Sequence, residues 1–306
     1  MPEPKADVLA RRVALVEALT RLVPDGVVAD ADALAAYDCD ALTAYRQKPL
    51  AVVLPKTADE VSAVLAFCHR EKVRVVPRGA GTSLSGGSLP LSDGILLGLS
   101  RMSRIKEIDL ENRCAVVEPG VTNLGITKAV EGRGFYYAPD PSSQVACSIG
   151  GNVAENSGGI HCLKYGLTTN NLLGVELALI TGERIRLGGK AMEAGGLDLL
   201  GLITGSEGLL GVVTEVTVRL LPRPEVARAS LAGFPSIEAA GLCVSTIISA
   251  GIIPAAMEIM DRFTIDAVES YCSPGYPRDA EAVLIVEVDG VASDVARLLA
   301  SIEGIA

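Results

Sequence analysis

Histidine is nearly absent from this chain: among its 306 residues only His69 and His161 occur. Seven cysteines are present, but no two of them have the CxxC spacing typical of metal-binding or redox motifs. Zinc and iron–sulfur sites depend on clustered cysteine and histidine ligands, so we expect no metal site built by this chain. Because no secretion signal accompanies the odd number of cysteines, we expect them to be reduced thiols.

The chain also lacks a basic cluster and a long apolar run. Its net charge is −10, which makes nucleic acid a poor partner because phosphate backbones require clustered Lys and Arg. No run reaches the roughly 18 apolar residues that a membrane-spanning helix needs. The N-terminus has no charged-then-apolar signal pattern. We therefore expect a cytoplasmic protein, associated with a membrane only through partner subunits.

Neither familiar phosphate-binding fingerprint is present in the most glycine-rich segment, Pro77–Gly87. A dinucleotide-binding GxGxxG motif would need a third glycine where Leu84 stands, followed by a helix. A Walker A loop would need a lysine, and this segment has none. The segment instead follows the apolar run Val73–Val76 and leads to another extended run, Ile95–Leu99.

What the segment does contain suits an anionic ligand held by local donors. Its glycines allow positive φ and close approach of a ligand to the backbone. The hydroxyls of Thr82, Ser83 and Ser85 and the N–H groups of the loop can surround an anion. We interpret the segment as a pyrophosphate-binding loop; the alternative is an ordinary Gly/Ser surface loop.

A second segment, residues 139–159, carries few charges but many uncharged hydrogen-bonding side chains and two Gly-Gly pairs. Because buried polar groups must be paired, this composition favours a bound ligand with many polar atoms. The alternative is a loop whose polar groups satisfy one another. A third stretch, residues 204–215, is a glycine-punctuated turn before a strand, and its glycines could serve packing alone.

The remaining pattern predicts mixed α and β structure. Apolar spacing indicates a helix over residues 7–22 and a βαβ unit over 51–76, in which Thr57 and Glu60 form a capping box. Residues 30–45 are expected to be helix and loop, and Thr122 is expected to cap a helix that ends near Gly132. Further strands are predicted at 94–99, 105–109, 114–118, 173–180, 184–187 and 212–221, with a short helix before the last. Beyond Pro222-Arg223-Pro224 the order is strand 228–233, helix 236–250, strand 255–260, helix 261–270, strand 282–288 and helix 291–303.

The glycine-rich segments, in this order and spacing, resemble the FAD-linked oxidase family with the vanillyl-alcohol-oxidase (PCMH-type) flavin domain. Within that family they are most similar to the branch that includes the FAD-binding subunits of bacterial glycolate oxidases. The motifs that carry the resemblance are Pro77–Gly87, Ile149–Gly159, His161–Gly166, Gly205–Gly208 and Gly211–Glu215, and Met257–Asp261 and Gly275–Pro277 extend it.

The resemblance implies an α+β fold: a two-lobed PCMH-type FAD-binding domain followed by the first part of an α/β cap, or substrate, domain. The implied domain bounds are an N-terminal helical segment at 1–45, the FAD-binding domain at 46–222 and the partial cap domain at 225–306. The cap is expected to cover the isoalloxazine ring.

The resemblance also implies a non-covalently bound FAD and the residues around it. The residues expected to wrap its pyrophosphate are Arg78, Gly79, Ala80, Gly81, Thr82, Ser83 and Leu84, and Pro77 and Gly86 are also expected to bind the cofactor. Those expected to line the ribityl chain and ring system are Pro139, Asp140, Ser143, Ser148, Gly151, Asn152, Asn156 and Gly159. Val213 would offer backbone groups to the flavin or to the adenine end.

The implied chemistry is oxidation of a small 2-hydroxy acid, glycolate or D-lactate, to the 2-oxo acid. Electrons would then pass to an Fe–S subunit, and a second flavin subunit is a further expected partner. The alternative is a non-catalytic flavin-binding or electron-relay subunit, or an inactive FAD-binding fragment. An enolpyruvyl reductase would need an NADPH site, for which the sequence gives no support.

The sequence departs from the family pattern at its C-terminal side. Relatives continue past residue 306, so we expect the chain to be C-terminally truncated and its catalytic residues to lie beyond that point. No catalytic residue is therefore assigned. We interpret His69 as a surface residue and His161 as a polar group lining the flavin region, rather than as a catalytic base or a covalent flavin link.

Overall fold

The computed structural model describes residues 2–191 and 195–306, and their contacts divide the chain into two units. The first unit comprises Met1–Ser157 and Leu167–Leu221, and the second comprises Gly158–Gly166 and Pro222–Ala306. The two-unit division leaves the predicted domain bounds of 46–222 and 225–306 as a prediction, since residues before 46 pack inside the first unit.

The two central strands of the first unit's first sheet, β2 (Ala51–Val53) and β4 (Gly94–Gly98), are buried on both faces. The order of this sheet is β1-β2-β4-β3, with β2 and β3 both parallel to β4 and β1 antiparallel to β2. Such strands are continuously apolar because each face must be covered. The elements of this region are α1 (Ala6–Ala10), α2 (Arg12–Leu22), β1 (Val27–Val28), β2 (Ala51–Val53), α3 (Ala58–Glu71), β3 (Arg74–Arg78) and β4 (Gly94–Gly98).

Alternation along β2 and β4 sends side chains to two different cores. Val53 and Leu97 pack with residues of α2 and α3, whereas Val52 and Leu96 pack with Leu34 of the 3-10 helix Ala33–Tyr37. The predicted βαβ unit is confirmed, but β4 lies between its two strands. This sheet order depends on β4, which follows both strands in the sequence and pairs with each of them. The local spacing of apolar residues does not predict such a pairing.

The second sheet of the first unit is antiparallel throughout, in the order β5-β6-β10-β8-β9. Its strands are β5 (Ile105–Asp109), β6 (Cys114–Val117), β8 (Leu172–Ala178), β9 (Arg184–Gly188) and β10 (Val212–Arg219). One face packs on helices α4 (Asn123–Val130), α5 (Ile149–Glu155) and α8 (Leu199–Ile203). The buried carboxylate of Glu215 on β10 is paired, because it accepts hydrogen bonds from Lys106 on β5 and Arg186 on β9, the two outer strands of the sheet.

Short elements complete this part of the chain. They are β7 (Phe135–Tyr136), which pairs with β11 (Leu221–Pro222), and the one-turn helix α7 (Thr168–Asn171). The one-turn helix α6 (Cys162–Tyr165) belongs to the second unit.

The second unit is a three-stranded antiparallel sheet, in the order β12-β14-β13, with helices on both faces. Its elements are β12 (Val226–Phe234), α9 (Ile237–Ser249), β13 (Ala256–Asp261), α10 (Arg262–Tyr271), β14 (Ala282–Gly290) and α11 (Ala292–Ile305). Helices α9 and α11 cover one face, and Ile265 of α10 packs on the other. The six elements predicted after Pro222 are confirmed to within a few residues.

The α+β fold class predicted from the sequence is confirmed. The clearest difference lies in residues 139–159, where the sequence analysis expects no regular structure and the chain forms α5. Residues 30–45 contain only one 3-10 helix, and α6 and α7 were not predicted.

The N-cap of α3 offers a direct test of the local predictions. The Thr57 hydroxyl accepts a hydrogen bond from the N–H of Glu60 at 3.2 Å, as predicted, but the Glu60 carboxylate binds the N–H of Lys56 instead of returning to Thr57. We expect Thr57→Ala to lower the free energy of unfolding by about 1 kcal/mol, because one helix N–H loses its acceptor.

Urea unfolding followed by circular dichroism measures this effect, with Thr57→Ser as the matched control that keeps the hydroxyl. Equal destabilisation by both substitutions would show that the hydrogen bond contributes nothing.

Candidate functional site

The glycine-rich loop runs from the end of β3 to β4 without opening a helix, as the sequence predicts. Arg78, the last residue of β3, is only 8 % exposed and donates from Nε and Nη2 to the carbonyl oxygen of Ser88 at 3.2 and 2.6 Å. Ser88 in turn donates from its hydroxyl to Asp40 at 3.1 Å. These bonds tie the two ends of the loop together, and Gly81 turns the chain between them with φ +71°.

Residues 141–148 form a tight turn that leads into α5. The N–H of Cys147 donates to the carbonyl of Ser143 at 2.8 Å, and the hydroxyl of Ser148 then caps the helix by accepting from the N–H of Gly151 at 3.4 Å. A Cβ on Gly79 would collide with the Ser148 hydroxyl, so the glycine loop lies directly against the start of α5.

The third glycine segment closes onto the C-terminal half of α5. The N–H groups of Gly205 and Glu207 donate to the carbonyls of Val153 and Ala154, both at 2.8 Å. A Cβ on Gly208 would lie 2.6 Å from Pro77 Cγ, so this turn also meets the start of the glycine loop. The three segments that the sequence analysis singled out therefore converge within the first unit.

Together they line a cavity of about 320 Å³, within the size range of small-molecule sites. The predicted residues that line it are Pro77, Arg78, Gly79, Ala80, Gly81, Thr82, Ser83, Leu84, Ser143, Ser148, Gly151, Asn152 and Val213. Convergence of these residues is a property of the fold; that they bind a cofactor stays a prediction.

Five predicted residues do not line this cavity. Asn156 is the C-cap of α5, and its amide oxygen accepts from the N–H of Thr169 at 3.0 Å. The carbonyl of Pro139 accepts from the buried Asn123 side chain, and a Cβ on Gly86 would face Leu42 and Leu89. Asp140 and Gly159 also lie outside the cavity lining, and Gly159 belongs to the second unit.

The sequence analysis missed an acidic part of the cavity. Glu155 from α5 and Glu207 from the third segment both line it, as do Cys147 and Ser206. Both segments are singled out by the sequence analysis, Glu155 within 139–159 and Glu207 within 204–215, but neither pattern by itself says what these side chains face. The other lining residues that were not predicted are Ser85, Gly87, Ser88, Leu99, Gly150, Ala154, Ser157, Ile203, Gly208, Gly211 and Val212.

The charge of the cavity comes from few groups. Of the described residues that line it, only Arg78 is basic. Burial lowers the pKa of Arg78, an effect that Asp40 opposes, yet a guanidinium stays protonated in proteins. Because Arg78 donates to a carbonyl and reaches Asp40 only through Ser88, its charge is not directly neutralised and remains available to an anion.

Asn152 supplies a second indication that a polar ligand belongs here. Its side chain is 1 % exposed, and its amide nitrogen has no hydrogen-bond partner of acceptable geometry among the described residues. The thiol of Cys147 lies close enough to interact with it, but a thiol is a weak acceptor. A buried amide donor that lines a cavity without a good acceptor is best explained by an acceptor on a ligand.

The set of groups fits a dinucleotide cofactor. Backbone N–H groups, hydroxyls of Thr82 and Ser83, and Arg78 are donors suited to a pyrophosphate. Leu99, Ile203 and Val212 provide apolar surface suited to an aromatic ring system. FAD has both features.

Two parts of the chain match models of known protein families. Residues 49–188 match the FAD binding domain, and residues 223–306 match the FAD linked oxidases, C-terminal domain. The chain belongs to the FAD-linked oxidase family. FAD is accordingly its cofactor, as the sequence analysis predicted.

The chain is similar to several curated proteins. Over 285 residues it is 56 % identical to the glycolate oxidase subunit GlcD of Escherichia coli strain K12, covering 93 % of this chain and 57 % of that protein. It is 46 % identical over 270 residues to GlcD of Bacillus subtilis, with coverages of 88 % and 57 %. A D-lactate dehydrogenase of Archaeoglobus fulgidus is 36 % identical over 237 residues, with coverages of 77 % and 53 %. The chain thus spans little more than half the length of these relatives.

A solved structure of alkyldihydroxyacetonephosphate synthase shares the fold with a TM-score of 0.82. The structural match covers 100 % of this chain and 60 % of the synthase chain, and the two sequences are 21 % identical over it. Among the helices that the structure describes, none is long and apolar enough to cross a membrane.

His161 lies in the second unit, where its Nε2 is 3.4 Å from the carboxylate of Glu287 on β14. Its neighbours on α6 are bound to the same strand: the Tyr165 hydroxyl donates to Asp289 at 2.5 Å, and Lys164 forms an ion pair with Asp289. The interpretation of His161 as a residue near the flavin stays a prediction.

We expect Arg78→Gln to weaken FAD binding by about 10- to 100-fold, since a charge-assisted hydrogen bond contributes roughly 1.5–3 kcal/mol. Arg78→Lys should lose less, because it keeps the charge but not the planar fork of donors. Titration of flavin fluorescence measures the dissociation constant, and Arg133→Gln, an exposed site, controls for net charge. An unchanged dissociation constant in folded Arg78→Gln would remove Arg78 from the site.

Gly81→Val should abolish FAD binding. The positive φ of Gly81 strains any β-branched residue, and the valine side chain would enter the space that we assign to the pyrophosphate. Gly132→Val is the matched control, because a Cβ at this exposed position meets nothing within 4 Å. Thermal unfolding separates loss of fold from loss of binding, and unchanged FAD affinity in folded Gly81→Val would contradict the placement of the cofactor.

Proposed function

We propose that this chain serves the FAD-dependent oxidation of a small 2-hydroxy acid, glycolate or D-lactate, to the corresponding 2-oxo acid. The observation that carries the proposal is the cavity in which Arg78, the glycine loop and Asn152, whose side-chain N–H groups lack a good acceptor, converge. The names of the three relatives supply the substrate class: two are glycolate oxidase subunits and one is a D-lactate dehydrogenase.

Bound FAD would supply the two-electron acceptor for the hydride that leaves the substrate carbon. The role of this chain's own residues is to hold and orient that group. The loop from Arg78 to Leu84 would provide backbone and hydroxyl donors, and Asn152 would provide a side-chain amide in the cavity lining. We assign no residue here as the base that takes the hydroxyl proton.

The domain organisation belongs to the same proposal. We take residues 46–222 as the FAD-binding domain and 225–306 as the first part of the cap domain. The remaining predicted site residues, Gly86, Pro139, Asp140, Asn156 and Gly159, would then contact parts of FAD outside the described cavity or support residues that do.

The proposed electron acceptor is a partner protein with an Fe–S centre, with a second flavin subunit as a further member of the complex. Its support is that the bacterial relatives are named as subunits, hence as parts of an assembly. Any attachment to a membrane would then pass through those partners.

The second candidate function is a flavin-binding or electron-relay subunit that does not itself oxidise substrate. The observation in its favour is that none of the described residues lining the cavity is assigned as the base that oxidation of a substrate requires. The two functions share the cofactor and differ in whether substrate reduces it.

An absorbance spectrum of the protein, saturated with FAD and desalted, separates the two. We expect flavin to be retained and to bleach anaerobically on addition of glycolate or D-lactate, with L-lactate as the control for handedness. Retained flavin that stays oxidised with both substrates would favour the electron-relay function. Loss of flavin on desalting at high protein concentration would contradict the shared cofactor.

A further inference from the structure

The cavity contains two carboxylates that the proposed function does not use. Around the backbone of Gly87, a Cβ would lie 2.8 Å from an oxygen of Glu207 and 3.5 Å from an oxygen of Glu155. Since both oxygens lie close to one point, the two carboxylates are near enough for strong like-charge repulsion. Both side chains line the same cavity as Arg78.

The two carboxylates differ in their surroundings. Glu155, the last residue of α5, is half-buried and interacts with the hydroxyls of Ser83 and Ser85 from the glycine loop. Glu207 is exposed on the turn that follows α8. Glu155 therefore has the more costly negative charge of the two, because water stabilises it less.

Among the described residues, three charged groups bear on Glu155 or line its cavity: Glu207, Asp40 and Arg78. Glu207 and the buried Asp40 repel its charge, and Arg78 is the basic residue that lines the same cavity. Asp40 has its own partners, since its carboxylate accepts from the N–H of Leu42 at 2.9 Å and from the Ser88 hydroxyl at 3.1 Å. Burial, followed by Glu207 and Asp40, raises the pKa of Glu155, against the lowering effect of the two serine hydroxyls.

Adding a pyrophosphate to this cavity adds two negative charges to a site with one guanidinium. We propose that FAD binding is coupled to the uptake of one proton by the carboxyl group of Glu155. The inference rests on the proposed placement of FAD. The proton comes from solvent, the carboxylate becomes a neutral carboxylic acid, and no other bond changes. Protonation removes one negative charge from the cavity. It also gives Glu155 an O–H group, which can donate a hydrogen bond to the hydroxyl of Ser83 or Ser85 or to the ligand.

The coupling has a definite sign. A group whose pKa rises further on binding takes up its proton between its value in the free protein and its value in the complex. FAD affinity is therefore highest at low pH and falls as pH rises through that window, by at most about tenfold per pH unit for one linked proton.

Isothermal titration calorimetry of the flavin-free protein with FAD tests the proposal directly. Titrations at one pH in buffers of different ionisation enthalpy give the number of protons taken up per FAD bound. We expect an uptake that approaches one inside the window and falls to zero below it. Stoichiometric FAD binding without proton uptake at any pH from mildly acidic to mildly alkaline would overturn the proposal while leaving the placement of FAD intact.

Substitutions locate the proton. Glu155→Gln mimics the neutral acid, so it should abolish proton uptake, make the dissociation constant independent of pH and bind FAD more tightly than the unchanged protein at high pH. Glu207→Gln removes one repelling charge and should shift the window to lower pH. Glu131→Gln, an exposed site outside the cavity, should leave both the uptake and the window unchanged. Proton uptake that persists in folded Glu155→Gln would overturn the assignment to Glu155.

Absence of FAD binding in the unchanged protein would overturn the placement of FAD, and with it this inference. Thermal unfolding of each variant separates a folding defect from a change in binding, and the uptake measured in the unchanged protein does not depend on any variant.

Discussion

The bond between the Arg78 guanidinium and the Ser88 carbonyl is the constraint on which the site depends. It joins the end of β3 to the far side of the glycine loop, so the chain curves around a space instead of continuing into a helix. The same bond buries a cation whose nearest carboxylate, Asp40, is reached only through Ser88. Burial of a charge is costly, and a bound anion recovers part of that cost. The hydrogen bonds between Arg78 and Ser88 thus set the shape of the loop and also place the cation that would attract an anion.

The glycines around this loop serve two different purposes. Gly81 is required by its positive φ, which sets the direction of the chain over the cavity. Gly79 is required by packing, because a Cβ on it would collide with Ser148. Gly208 serves both purposes, since its φ is +74° and a Cβ on it would collide with Pro77. Close packing of these backbones brings α5 and the 205–208 turn against the loop, and that contact forms the wall of the cavity. The glycines that carry the resemblance to the family are therefore also glycines that the backbone conformation or the packing requires.

Local signals predicted the parts of the fold that depend on neighbours in sequence. Thr57 and Thr122 cap helices as expected, and the strands and helices after Pro222 follow their periodicity. Helix α5 escaped prediction because Gly150, Gly151 and Asn152 are poor helix formers. It is stabilised instead by the Ser148 cap and by burial of Ile149 and Val153. The insertion of β4 between β2 and β3, and the meeting of Glu155 with Glu207, depend on residues far apart in the chain, which no local pattern reveals.

Hydrogen exchange with and without FAD, followed by mass spectrometry, tests most directly whether the converging segments form one cofactor site. The account predicts that FAD slows exchange in residues 79–88, 143–157 and 203–213 together, while the outer strand β9 is unaffected. Stoichiometric FAD binding that leaves the glycine loop unprotected, or that protects only one of the three segments, would contradict it.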